Sequence, residues 1–114
     1  MLIHGKERKF KLTVGASARV SEFCPDGDIT RLDDALKGSY ATTMRNIAEI
    51  IAALSEGYEN AKAYEEDGYK PCPLTVPEIL TLSMPELSAL QSEALSAFNA
   101  DAQPSVELAP SKKN

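Results

Sequence analysis

The first fourteen residues alternate apolar and polar side chains in a pattern that predicts a β-hairpin. Residues 2–4 form a short apolar strand, Gly5-Lys6 suits a turn, and the next apolar positions are Phe10, Leu12 and Val14. A period of two places these side chains on one face of a strand and the intervening Lys9 and Lys11 on the other. An isolated hairpin is only marginally stable in water, so its apolar face is expected to pack against the rest of the chain.

Beyond Gly15 the apolar residues recur at helical spacing, which predicts about five helices over residues 16–102. The fold class is therefore mainly α, with a short N-terminal β-hairpin. A first short helix is expected to end before Pro25. Asp28 suits the N-cap of a second helix, which Gly38 ends. The Asp-rich turn lacks the glycine and the glutamate that a calcium-binding loop requires at its sixth and twelfth positions, so capping is the better interpretation.

The longest predicted helix begins after Ser39, which suits its N-cap, and its apolar stripe is Met44, Ile47, Ile51 and Leu54. Gly57 weakens the helix, but the pattern resumes as far as about Glu66. Several carboxylates gather at this end, where negative charge opposes the helix dipole. We therefore expect the end of this helix to fray.

Two copies of one helix-starting pattern follow, Thr75-Val76-Pro77-Glu78 and Ser83-Met84-Pro85-Glu86. In each, the hydroxyl is placed to accept from the backbone three residues on, while the glutamate reaches back to the cap residue. Proline is tolerated here because the first turn does not use its N–H group. The first box predicts a very short helix, and the second predicts a longer one with the stripe Leu87, Leu90, Ala94, Leu95 and Phe98.

The apolar pattern stops near Asp101, so we predict a single globular domain over residues 1–102 and a flexible tail or linker over residues 103–114. The tail ends in Lys112-Lys113-Asn114, which a run of adenines followed by cytosine can encode. Such a run allows a ribosome to slip by one base. We therefore expect programmed frameshifting at this point, which would join a longer extension to the domain.

The net charge of −5 is distributed unevenly along the chain. Residues 1–21 carry five basic side chains against one acidic, whereas the remainder carries seven basic and sixteen acidic. An acidic body repels phosphate, which argues against nucleic-acid binding. No apolar run approaches the roughly 20 residues of a membrane span, and no secretory signal is visible, so a cytosolic protein is expected.

The chain has few residues of the types that catalysis or metal binding requires. The sole histidine, His4, lies near the N-terminus, and the common nucleotide-binding, metalloprotease and hydrolase motifs are missing. Cys24 and Cys72 lack the spacing and the fourth partner of a zinc site, so we expect reduced thiols, with Cys24 buried at a helix end. The sequence thus predicts a protein that is not an enzyme and has no metal or cofactor.

Across residues 3–98 the chain resembles the tail assembly chaperones of long-tailed phages and of phage-like elements in bacterial genomes. The resemblance rests on Gly5-Lys6-Glu7 before the run from Phe10 to Ala16, and on the turn Cys24-Pro25-Asp26-Gly27-Asp28 before a short helix. It continues through the Ile47–Leu54 helix and the helix start from Leu74 to Ile79.

This resemblance implies a small, mostly helical protein that binds the tape measure protein, the long helical chain that sets tail length. The chaperone keeps that chain soluble in the bacterial cytoplasm until the tail tube forms, and it is absent from the mature virion. A frameshifted longer form would contact the tail tube protein, which would make this chain the short form. No catalytic residues accompany the family.

Binding a tape measure helix requires exposed apolar surface in a groove. The candidate partner-binding residues are Tyr58, Tyr64 and Tyr69 near the acidic helix end, Ile51 and Leu54 on the long helix, and Lys9 and Lys11 on the hairpin. The alternative for the apolar members is that they belong to the core, and for the lysines that they form a solvated face. A homo-oligomer, a self-assembling scaffold component of the virion and a small adaptor module remain open as rival functions.

Overall fold

The long helix α3 is the centre of the structure, and the other elements surround its middle. A computed structural model describes the backbone of residues 1–108 and the side chains of residues 1–102. Two strands, β1 (Leu2–Ile3) and β2 (Lys6–Glu7), precede five α-helices. The helices are α1 (Val14–Ser21), α2 (Leu32–Ala35), α3 (Tyr40–Glu65), α4 (Val76–Ile79) and α5 (Met84–Leu108), with 3₁₀ turns at Pro25–Gly27 and Ile29–Arg31. The mainly helical class with a short hairpin is confirmed.

The hairpin is shorter than predicted. β1 and β2 pair antiparallel, with Ile3 opposite Lys6, and the two residues between them, His4 and Gly5, have positive φ angles of 52° and 80°. Positive φ at both central positions is the geometry of the tight turn that matches strand twist. Ile3 is buried, so the hairpin attaches to the core through this side chain.

The predicted second strand over residues 10–14 is wrong. Val14 instead begins α1 and is 88% exposed. The helix starts here because the hydroxyl of Thr13 accepts from the Ala16 amide at 3.1 Å and caps the first turn. The amide of Lys11 donates to the Leu54 carbonyl of α3 at 3.1 Å instead of to a strand partner. Residues 9–13 therefore cross α3 as an extended segment outside the hairpin.

The middle of α3 is buried on nearly every side. Its fully or almost fully buried residues are Ile47, Ala48, Ile50, Ile51, Ala52, Ala53, Leu54 and Ser55. A helix that is apolar all round belongs in the interior of a fold. Here α1, α4, α5 and the hairpin supply the cover through Val20, Ile79, Leu90, Ala94 and Ile3.

The predicted N-caps at Ser39 and Asp28 are confirmed, although the element that Asp28 caps is a 3₁₀ turn. Ser39 accepts from the Thr42 amide at 3.2 Å, and Asp28 accepts from the Thr30 amide at 3.0 Å. The helix α5 runs to Leu108 and so enters the range predicted as a tail. Residues 109–114, with the expected frameshift position, lie outside the described residues.

Candidate protein-binding surface

Three of the large apolar side chains that the described residues expose lie together. Tyr40, Leu80 and Met84 are 68%, 53% and 57% exposed, and all three line one groove of about 190 Å³. One wall is the first half of α3, and the other is the corner between α4 and α5. We call this the α3–corner groove. Its lining residues are Tyr40, Met44, Ala48, Ile79, Leu80, Leu82, Met84 and Leu87.

The α3 wall of the groove follows directly from the cap at Ser39. Because that cap fixes where the helix begins, Tyr40, Met44 and Ala48 stand four residues apart on one face. The Tyr40 hydroxyl reaches across the groove to the Met84 sulfur at 3.7 Å. This weak contact joins the two walls without closing the space between them.

The corner wall is fixed by the two capping boxes. Thr75 and Glu78 exchange both hydrogen bonds of the first box. In the second, the Ser83 amide donates to Glu86 at 2.9 Å and the Glu86 amide donates to the Ser83 hydroxyl at 3.3 Å. Both boxes are thus confirmed. Ile79 anchors α4 with 1% exposure, so Leu80 and Met84 stand at helix ends and point away from the core stripe.

Two carboxylates stand in the first turns of the helices that form this corner. The hydrogen bond from the Thr75 backbone lowers the pKa of Glu78, and the one from the Ser83 backbone lowers the pKa of Glu86. Hydrogen bonds that favour the ionised form act in this direction. Both groups are therefore negatively charged at neutral pH.

The structure separates the predicted binding residues into two groups. Ile51 and Leu54 are 1% and 0% exposed, so they belong to the core and offer no surface to a partner. They were candidates because they lie on the α3 stripe, and the stripe is covered by the elements packed around it. The core alternative is the one observed.

Most of the remaining candidates lie towards the far end of α3. Tyr58 and Lys11 line a second depression with Lys62, Glu65 and Glu66. The Lys62 ammonium stands 5.9 Å from the Tyr58 ring centre and 5.0 Å from that of Tyr69, which brings the two tyrosines together. Lys9 is exposed and lines a different groove against α5, and Tyr64 is 94% exposed. The three tyrosines and Lys11 therefore lie near the polar end of α3, and Lys9 lies apart from them.

Tyr69 also belongs to a buried ionic cluster around Glu59. One oxygen of that carboxylate accepts from Lys6 at 3.1 Å, from the Tyr69 hydroxyl at 2.6 Å and from the Cys72 amide at 2.9 Å. Burial alone would raise the pKa of Glu59, but the hydrogen bonds outweigh it and hold that pKa below its ordinary value. Glu59 is one of the carboxylates that the sequence gathers near the end of α3. In the structure it ties the hairpin and the loop after α3 to the helix.

Sequence reasoning missed Tyr40, Leu80 and Met84 as surface residues. Tyr40 follows the cap residue Ser39, Met84 follows the cap residue Ser83, and Leu80 is the C-cap residue of α4. At these positions the regular apolar stripe has not begun or has ended. The available signal was a large apolar side chain at a helix terminus outside the stripe. Tyr40 also stands four residues before Met44, which places both on one helix face.

Two further properties of the described residues bear on the site. No group of three or more His, Cys, Asp or Glu side chains among them is arranged to hold a metal ion. Over the same part of the chain, no helix combines the length and apolar character needed to cross a bilayer.

Comparison of the chain with protein-family models, curated proteins and solved structures gives no match.

Proposed function

We propose that this chain is a tail assembly chaperone that binds the tape measure protein and keeps it soluble during tail assembly. The observation that carries the proposal is the α3–corner groove, where Tyr40, Leu80 and Met84 expose apolar surface on a well-packed body. A chaperone for long helices needs such surface, because those helices expose apolar faces until the tail tube encloses them.

The composition of the groove supports this function. Met44 and Met84 line it together with several leucines. Methionine is unbranched and polarisable, so it adapts to differently shaped partners. A tape measure protein presents many helical segments of differing sequence, and an adaptable surface suits that task.

The resemblance over residues 3–98 supports the proposed function independently of the groove. Two of the motifs that carry the resemblance are helix boundaries in the structure. The turn Cys24–Asp28 joins α1 to the short helices, and the segment from Leu74 to Ile79 starts α4. In this function the protein acts in the cytoplasm of a bacterial host and is absent from the mature virion.

Co-expression tests the proposal. The tape measure protein encoded by the same phage or prophage genome is produced alone and together with this chain, and its soluble fraction is measured. We expect the tape measure protein to be mostly insoluble alone and to copurify with this chain when the two are expressed together. A tape measure protein that stays in the pellet with this chain in excess would contradict the proposal.

A self-assembling scaffold component of the virion is the second candidate. The basic N-terminal segment and the acidic remainder favour contacts between copies. The route through the hairpin edge is poor, however, since each strand has only two residues and offers a short template for pairing. Mass spectrometry of purified particles separates the functions, because a chaperone leaves the particle and a scaffold component of the virion remains in it.

A further inference from the structure

The α3–corner groove has a size that decides what kind of group enters it. Its volume of about 190 Å³ lies below the roughly 300–1,000 Å³ of typical small-molecule sites. A cavity of about 150 Å³ holds a benzene molecule, so this groove has room for one aromatic or a few aliphatic groups. The occupant is therefore one or two side chains of a larger partner.

The walls of the groove decide the shape of that partner. Tyr40, Met44 and Ala48 form a straight helical face, and Leu80 and Met84 stand opposite them. A groove between helices accepts a third helix that presents apolar residues three or four positions apart.

The charge of the protein determines which partners the groove attracts. The whole chain has a net charge of −5, and Glu78 and Glu86 are ionised in the first turns of the corner helices. Basic groups also lie nearby: His4 and Arg8, which is 5% exposed, are close to Glu78, and Arg45 follows Met44 on α3. The excess of negative charge is therefore a property of the chain as a whole. A partner with basic flanks is attracted by this field, and an acidic partner is repelled.

We propose that the α3–corner groove binds an amphipathic helix whose apolar stripe packs over Tyr40 and the Leu80–Met84 corner and whose flanks are rich in lysine and arginine. This inference rests on the proposed function, because it names the class of tape measure segment that the chaperone recognises. It assigns recognition to three exposed side chains that contribute little to the core.

Three designed peptides of roughly 18 residues, long enough to show helical periodicity, provide the test. The first has a Leu and Met stripe at helical spacing with lysines elsewhere, and the second carries the same stripe with glutamates. The third has the composition of the first, rearranged so that no stripe forms. Titration calorimetry with the full chain should detect the first peptide, with the second at least about tenfold weaker and the third not bound.

Neutral substitutions locate the site without changing the charge. We expect Leu80→Gln, Met84→Gln and Tyr40→Ser each to weaken binding of the first peptide by about tenfold or more, as for central residues of an interface. Leu2→Gln, at a leucine of β1 that is 66% exposed and lies outside the groove, is the matched control and should bind like the original chain. Unchanged thermal unfolding confirms that each variant is folded.

Several results would overturn the assignment. They are equal binding of the rearranged peptide, equal or tighter binding of the glutamate peptide, or full binding by all three groove variants. Sedimentation tests a further alternative. If the chain is a dimer and Leu80→Gln converts it to a monomer, the groove binds a second copy of the chain and the assignment fails.

Co-expression with the tape measure protein separates the two proposals. If the groove variants solubilise it as well as the original chain does, the groove assignment fails and the chaperone function stands. If the original chain binds the first peptide at the groove but does not solubilise the tape measure protein, the proposed function fails instead.

Discussion

The backbone of Lys11 lies directly against Gly57, and the glycine makes this contact between the extended segment and α3 possible. A Cβ atom at Gly57 would overlap the Lys11 carbonyl oxygen and would stand 3.0 Å from the Thr13 hydroxyl. One turn earlier on α3, the Leu54 carbonyl accepts the Lys11 amide at 3.1 Å. The helix is therefore continuous through Gly57, and the residue that lowers its propensity serves tertiary packing.

Gly57→Ala is expected to destabilise the fold. Alanine favours a helix interior by about 1 kcal/mol over glycine, but overpacking a close contact typically costs about 1–3 kcal/mol. The clash prevails because the Lys11 carbonyl belongs to the backbone and cannot rotate away. Urea unfolding measures the change. Gly15→Ala, on α1 where the added methyl meets nothing within 4 Å, is the control and should be neutral or stabilising.

Glu59→Gln is expected to lower the free energy of unfolding by about 1–3 kcal/mol, the usual range for hydrogen bonds to a charged buried group. The carboxylate accepts from Lys6, Tyr69 and the Cys72 amide, and an uncharged amide loses the ion pair with Lys6 and accepts more weakly from the other two donors. Glu56→Gln, which removes only a long, partly exposed pairing with Arg19, is the control and should change stability little.

The same carboxylate predicts a pH dependence. Because the folded-state pKa of Glu59 is lowered, its contribution is present above the ordinary pKa of 4.5 and is lost as the pH falls through the lower folded value. Stability of the original chain should therefore decline below about pH 4.5, and Glu59→Gln should remove part of that slope. Parallel slopes for the two proteins would show that the Glu59 cluster does not form.

Tyr69→Phe should lower the denaturant midpoint, since it removes the hydroxyl that donates to Glu59 at 2.6 Å. Tyr64→Phe should leave the midpoint unchanged, because that side chain is 94% exposed. The hydrogen bond to Glu59 raises the pKa of the Tyr69 phenol, so its ultraviolet titration should also move towards the ordinary value in Glu59→Gln. Equal midpoints for the two tyrosine variants would contradict the structural role of Tyr69.

The caps are expected to contribute about 1 kcal/mol each. Thr75→Ala removes the acceptor for the Glu78 amide, and Ser83→Ala removes that for the Glu86 amide. Both variants should unfold at lower denaturant concentration with the fold retained. Ser88→Ala, an exposed position within α5, is the control, and unchanged midpoints for both cap variants would mean that the boxes contribute nothing.

Local chemistry made the helix starts predictable, whereas packing between distant segments did not. The caps at Ser39, Thr75 and Ser83 depend on residues three positions apart, so the sequence displays them directly. The strand predicted at residues 10–14 failed because its alternation fits an extended segment of any kind. The Lys11 amide in this segment donates instead to the carbonyl of Leu54, more than forty residues away in the sequence.

The sequence predicted that an apolar binding surface exists, but it did not predict which residues form that surface. An apolar groove was expected, but the stripe residues Ile51 and Leu54 are covered, and the exposed apolar side chains stand at helix ends. Amphipathic periodicity identifies the face that a helix buries, so it selects core residues. Glu59 escaped notice for a related reason, because nothing in a run of acidic residues marks which one is buried against a loop.

Cys24 and Cys72 should differ strongly in their reaction with a thiol reagent. Cys24 is buried at 6% exposure, and burial followed by the nearby charge of Asp28 raises the pKa of its thiol. Since the thiolate is the reactive form, both access and ionisation protect this side chain. Cys72 is exposed in the loop after α3 and should react first, whereas Cys24 should react only as the chain unfolds. In Cys72→Ser the rapid phase should disappear, and a rapid phase that persists would place Cys24 at the surface and contradict its position in the core.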